Sequence, residues 1–189
     1  MLSFWEAIAG IFNRKEAASV NNSDKRSSYI FYKIVEAETD GEHYILQCIN
    51  TSVTLRASIT DIIFERKTLS SLHPVQACYI GIEYSKYLQT HKASIQRKFR
   101  LKTEEYLLCR YGAYQVAYED RIGNICFISR KTKEEYLMDP RDIALSKELI
   151  NEFDAAQAFY IGYLAGLKLR NTVDKMQATP GAPYLKIVK

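Results

Sequence analysis

Tryptophan occurs once in this chain of 189 residues, histidine three times, and proline and cysteine four times each. Each scarcity closes off some chemistry. The histidines, His43, His73 and His91, form no HxxxH or HExxH pair, so no zinc site of helical spacing is written here. The cysteines, Cys48, Cys78, Cys109 and Cys126, include no CxxC pair and have apolar neighbours, as in Ile125-Cys126-Phe127. They read as reduced, packed thiols of a reducing compartment. Eight glycines leave neither GxGxxG nor a GxxxxGKS/T loop, so no phosphate cradle is expected. No GxSxG supports a catalytic triad.

Long apolar runs are also missing. A membrane span needs about 20 residues, and the longest run, Ala155 to Leu167, is interrupted by Gln157. It reads as a buried core helix. The N-terminus lacks a basic leader and carries Glu6, so no signal peptide is expected. Charge of one sign is scarce too: 26 basic side chains against 22 acidic leave a net +4, too mild to mark a nucleic-acid binder. The acidic pairs Glu104-Glu105, Glu119-Asp120 and Glu134-Glu135 are adjacent, so strands would point their members to opposite faces. They read as solvated surface rather than acid/base pairs.

What the chain does have is a phrase that occurs twice. Residues 76–81 read Gln-Ala-Cys-Tyr-Ile-Gly and residues 157–162 read Gln-Ala-Phe-Tyr-Ile-Gly, 81 residues apart. The same interval relates Asp61-Ile62 to Asp142-Ile143, Val35 to Val116, Glu38 to Glu119 and Leu88 to Leu169. Shared register and matching element order predict a tandem duplication. On a helix, Ala77 and Gly81 lie on one face, as do Ala158 and Gly162. Small residues at this spacing let a second helix approach closely. A mid-helix glycine costs about 1 kcal/mol relative to alanine, so one in each copy predicts that the two helices cross at Gly81 and Gly162. Gln76 and Tyr79, with Gln157 and Tyr160, fall on a neighbouring face. They are expected to bond strand edges or loops and to pack. The functional alternative is a shared pocket between the repeats.

The organisation follows. Residues 1–13 read as an amphipathic helix with the stripe Leu2, Phe4, Trp5, Ile8, Ile11 and Phe12. Residues 14–28 are polar and read as a flexible linker. Residues 29–100 form a first α+β unit and residues 101–189 a second with a C-terminal tail. Strands are expected over 29–38, 43–50 and 52–58, with a turn at Thr39-Asp40-Gly41 and a long helix from His73-Pro74. In the second unit, strands are expected over 106–118, 125–130 and 136–138, and helices from Asp139-Pro140 onward. The expected fold is α+β: two antiparallel meanders, each followed by helices that pack about a pseudo-two-fold, plus the tethered N-terminal helix.

An apolar helix on a linker has three fates. It folds back on the body, lies in a groove on a partner, or inserts into a membrane interface. The expectation is therefore a non-catalytic interaction protein without a cofactor. An adaptor or chaperone-like subunit of a larger bacterial assembly, of the secretion type and apposed to a membrane, fits the profile. The expected partner is a protein, with a membrane surface as the second option for the N-terminal helix. Localisation is expected to be cytoplasmic, peripheral to a membrane at most. One alternative is a nucleic-acid or nucleotide-binding module using the basic stretch Lys92 to Lys102, although Glu104 and Glu105 dilute its field. Another is an enzyme with a pocket at the repeat interface, built from Gln76, Tyr79, Gln157 and Tyr160.

Overall fold

In the computed structural model, residues 31–90, residue 106 and residues 112–177 are described. The expected N-terminal helix, the linker, the basic stretch 92–102 and the C-terminal tail lie outside them.

The first sheet comprises β1 (Tyr32–Ala37), β2 (His43–Cys48) and β3 (Thr54–Ser58), antiparallel in sequence order. Three helices follow: α1 (Ile59–Phe64), α2 (Arg66–Ser71) and α3 (Pro74–Thr90). The second sheet comprises β4 (Tyr114–Glu119), β5 (Ile125–Ser129) and β6 (Glu135–Met138), again antiparallel in sequence order. It is followed by α4 (Pro140–Leu145), α5 (Lys147–Ile150) and α6 (Ala155–Gln177). The chain is thus mixed α+β, with two three-stranded sheets and six helices among the described residues.

Local chemistry explains the element ends. In β2, Tyr44, Leu46 and Cys48 are buried and alternate with half-buried His43, Ile45 and Gln47, the period of a strand packed on one face. Gly41 and Gly123 hold the left-handed turn conformation, with φ of 68° and 78°. Ser58 caps α1 in a reciprocal box with Asp61, and Asp139 caps α4 just ahead of Pro140.

Details recur between the halves. The β2–β3 turn has Cys48 N–H on Val53 O at 2.8 Å, and the β5–β6 turn has Ser129 N–H on Glu134 O at 2.9 Å. Ser52 and Lys133, also 81 residues apart, both have positive φ, 58° and 66°. β1 and β4 each carry a bulge, after Ile34 and after Val116.

The uniform interval does not survive in the first strands. Ile34 pairs with Leu46, and Val116 pairs with Phe127, so Val116 matches Ile34 and not Val35. Likewise Ala37 pairs with Tyr44 where Glu119 pairs with Ile125, so Glu119 matches Ala37 rather than Glu38. The first hairpin closes with Glu38 N–H on His43 O and the second with Asp120 N–H on Asn124 O. One extra loop residue in the first hairpin shifts the register upstream of it.

The expected strand over 106–118 is also corrected. Tyr106 is helical and buried, and among the described residues of that range the strand is β4. Tertiary context overrides the β-propensity of its aromatic ring. The Tyr106 hydroxyl donates to the Ile63 carbonyl at 3.1 Å, and its ring lies 5.1 Å from that of Phe159. It thus ties α1 to α6 within one hydrophobic core that draws on both halves.

Candidate functional site

The repeated phrase lies where α3 and α6 cross. A Cβ added at Gly81 would collide with the Phe159 carbonyl oxygen and stand 2.7 Å from the Tyr163 nitrogen. A Cβ added at Gly162 would collide with the Cys78 carbonyl oxygen and stand 2.7 Å from that carbonyl carbon. The contact is reciprocal, because Cys78 and Phe159 hold the same place in the two copies of the phrase. Ala77 and Ala158, both fully buried, flank the crossing. Gly166 continues the row against the Ser85 side chain. Backbone meets backbone here, which leaves no room for a ligand between the two glycines.

One member of each Gln/Tyr pair reaches the sheet of its own half. Gln76 accepts the Ile34 N–H at 3.2 Å and donates to the Ile34 carbonyl at 3.3 Å, closing one edge of β1. Tyr79, three residues on, is half-buried, and burial raises its phenol above its ordinary range. Gln157 is completely buried, and its backbone N–H is received by Asp154 at 2.9 Å. Tyr160 donates to Glu119 in β4 across 3.5 Å. Burial, then the Glu119 charge, pushes the Tyr160 phenol up to about 12. Glu119 is exposed, as expected of solvated surface, and its carboxyl also receives the Tyr160 hydroxyl; partial loss of hydration pushes it above the usual carboxylate range.

Metal-ligating side-chain types come together at the first hairpin, where Glu38, Asp40 and His43 offer atoms within 4.8 Å of one another. The carboxylate oxygens are engaged. Both Glu38 oxygens receive the Arg56 guanidinium, at 2.7 and 2.8 Å. Asp40 receives the Glu42 and His43 backbone N–H groups and lies 2.7 Å from His43 Nδ1. Those bonds, the Glu42 N–H first, hold the Asp40 carboxyl down to about 2. The cluster is an ion-paired hairpin. Its groups converge only through the fold of the turn, which sequence spacing does not show.

The outer faces of the two sheets differ in chemistry. Across the first runs the row Glu36, Ile45, Arg56. The matching row in the second is Tyr118, Cys126, Leu137. Tyr118 is 54% exposed and Leu137 56%, while Cys126 between them is buried. Sequence reading missed this row, because it exists only once three strands are in register.

A cleft of about 400 Å³ opens between the start of β1 and the α2–α3 junction, lined in part by Phe31, Tyr32, Ile49, Leu72 and Val75. No sequence motif announced it, since its walls come from distant segments. The partner-binding set Leu2, Phe4, Trp5, Ile8, Ile11 and Phe12 lies outside the described residues. No helix among the described residues is long and apolar enough to cross a membrane. Comparison with protein-family models, with characterised proteins and with solved structures finds no match.

Proposed function

We propose that this chain is a non-catalytic interaction protein, an adaptor or chaperone-like subunit of a larger assembly. Its body is a tandem duplication of one β-meander-and-helix unit, folded about a pseudo-two-fold axis. Residues 2–12 are its partner-binding element, and a protein is the partner. The reciprocal contacts of Gly81 with Phe159 and of Gly162 with Cys78 support the duplication, as a two-fold predicts that i meets j where j meets i. The matching turns and bulges, displaced by one loop residue, support it further.

One observation carries the functional reading. On two sheets of the same pattern, the charged outer row Glu36–Ile45–Arg56 is replaced by the apolar row Tyr118–Cys126–Leu137. Tyr118 and Leu137, exposed on either side of buried Cys126, are apolar side chains that suit contact with another macromolecule. The repeated phrase, meanwhile, is used for packing, and the stripe Leu2–Phe12 has no counterpart 81 residues on.

The test is quantitative capture from native extract by the full chain and by the chain lacking residues 1–20. The expected result is a discrete set of partners that falls at least about tenfold in recovery on deletion, equivalent to about 1.4 kcal/mol of binding. Equal recovery of the same partners by both chains contradicts the role given to residues 2–12.

A further inference from the structure

The two halves treat one junction differently. In the second half, the chain enters β4 through Gly112 and Ala113, and the Ala113 and Tyr114 N–H groups both point at the Glu152 carbonyl, at 2.7 and 3.3 Å. Phe153 seals the space, 1% exposed. Its ring stands edge-on to Phe127 at 5.3 Å and lies 5.7 Å from Tyr114. Tyr136 stacks on Phe127 at 5.4 Å.

In the first half, the matching junction is the open cleft beside Tyr32 and Leu72. Leu72, Leu46 and Leu55 stand where Phe153, Phe127 and Tyr136 stand in the second half. Of these three leucines Leu72 lines the cleft, at the place where the Phe153 ring closes the second junction. Phe31 and Ile49 on the cleft's lip are 45% and 58% exposed.

We propose that residues 2–12 of this same chain seat in that cleft, with Trp5 against Ile49 and Val75. The segment carries Phe4, Trp5 and Phe12, rings of the kind that Phe153 supplies to the second junction. The described chain begins at Phe31, on the lip itself, so residues 13–30 need only turn back. As a flexible coil they span about 23 Å, and fully extended up to about 60 Å. Such a tether holds the segment at roughly millimolar effective concentration, which favours it over a second copy. Charge agrees: Glu6 is the one charged side chain in residues 1–13, and Lys33 and Lys147 line the cleft. Seating there stows the apolar stripe until a partner displaces it. This inference rests on the reading of residues 2–12 as the partner-binding element.

Trp5 is the only tryptophan, so the emission of the full chain reports its surroundings directly. The expected emission is blue-shifted, several-fold less quenched by acrylamide than an exposed indole, and independent of protein concentration. Ile49→Glu is expected to shift the emission to the red and raise quenching several-fold. Lys33→Glu, a milder change at an exposed strand position, is expected to move both in the same direction. Leu137→Glu, on the other sheet, is expected to move neither. An exposed Trp5 in the full chain, a shift that depends on concentration, or equal effects of Ile49→Glu and Leu137→Glu would overturn the seat. An exposed Trp5 with capture still dependent on residues 1–20 removes the seat and leaves the adaptor reading. A seated Trp5 with capture indifferent to the deletion does the reverse.

Discussion

Gln76 treats Ile34 as a neighbouring strand would. Its carboxamide accepts the Ile34 N–H and donates to the Ile34 carbonyl, at 3.2 and 3.3 Å. A side-chain amide from the first turn of α3 thereby occupies the edge of β1 at its bulge, where unpaired backbone groups invite mispairing. Gln76→Ala removes both bonds and is expected to destabilise the protein by about 1–2 kcal/mol in urea unfolding. The Ile34 amide is expected to exchange faster with deuterium in the variant. An unchanged unfolding midpoint and unchanged protection at Ile34 would refute the strand-like role.

Asp139 joins the second sheet to its helices. It caps α4 by accepting the Arg141 N–H at 2.8 Å, pairs with the Arg141 guanidinium at 2.9 Å, and receives Lys168 of α6 at 3.0 Å. Lys168 also reaches Asn124 in the β4–β5 turn at 3.0 Å. The Arg141 side chain, and then the other donors, hold the Asp139 carboxyl well below its ordinary 3.8. A depressed carboxyl stabilises the fold above its unfolded value, and that contribution fades as pH falls through the folded value. Stability is therefore expected to decline below about pH 4 in wild type, and more gently in Asp139→Asn. At neutral pH, Asp139→Ala is expected to lose about 1–2 kcal/mol, while Asp139→Asn, which retains a capping oxygen, loses less. Thermal unfolding across pH separates the two variants; identical acid limbs for wild type and Asp139→Asn would count against the titration of this group.

The elements were legible where local chemistry fixes them. Alternation around Tyr44, Leu46 and Cys48 marks a strand, and Pro74 and Pro140 mark helix starts. Ala77 and Gly81 announced a close helix approach because small side chains at that spacing have few other uses in a helix. Register was less legible. One extra residue in the first hairpin is invisible to a fixed interval, so the pairings of Val35 with Val116 and Glu38 with Glu119 slipped by one. Tyr106 was lost for another reason: its aromatic ring favours a strand, while its partners Ile63 and Phe159 are remote in sequence. The apolar row of the second sheet and the cleft beside Leu72 also come from remote segments, which periodicity cannot join.

The crossing of α3 and α6 is the hub of this account, because it converts the repeated phrase from a candidate active site into the joint between two halves. Its sign is testable. In an ordinary helix, replacing glycine by alanine stabilises by up to about 1 kcal/mol. At Gly81 and Gly162 the new methyl would meet the Phe159 and Cys78 carbonyls, backbone that cannot swing aside as a side chain would. Equilibrium denaturation of Gly81→Ala and Gly162→Ala is the direct measurement. The expected result is destabilisation of both by about 1–3 kcal/mol or more. A gain in stability in either variant would contradict the close crossing.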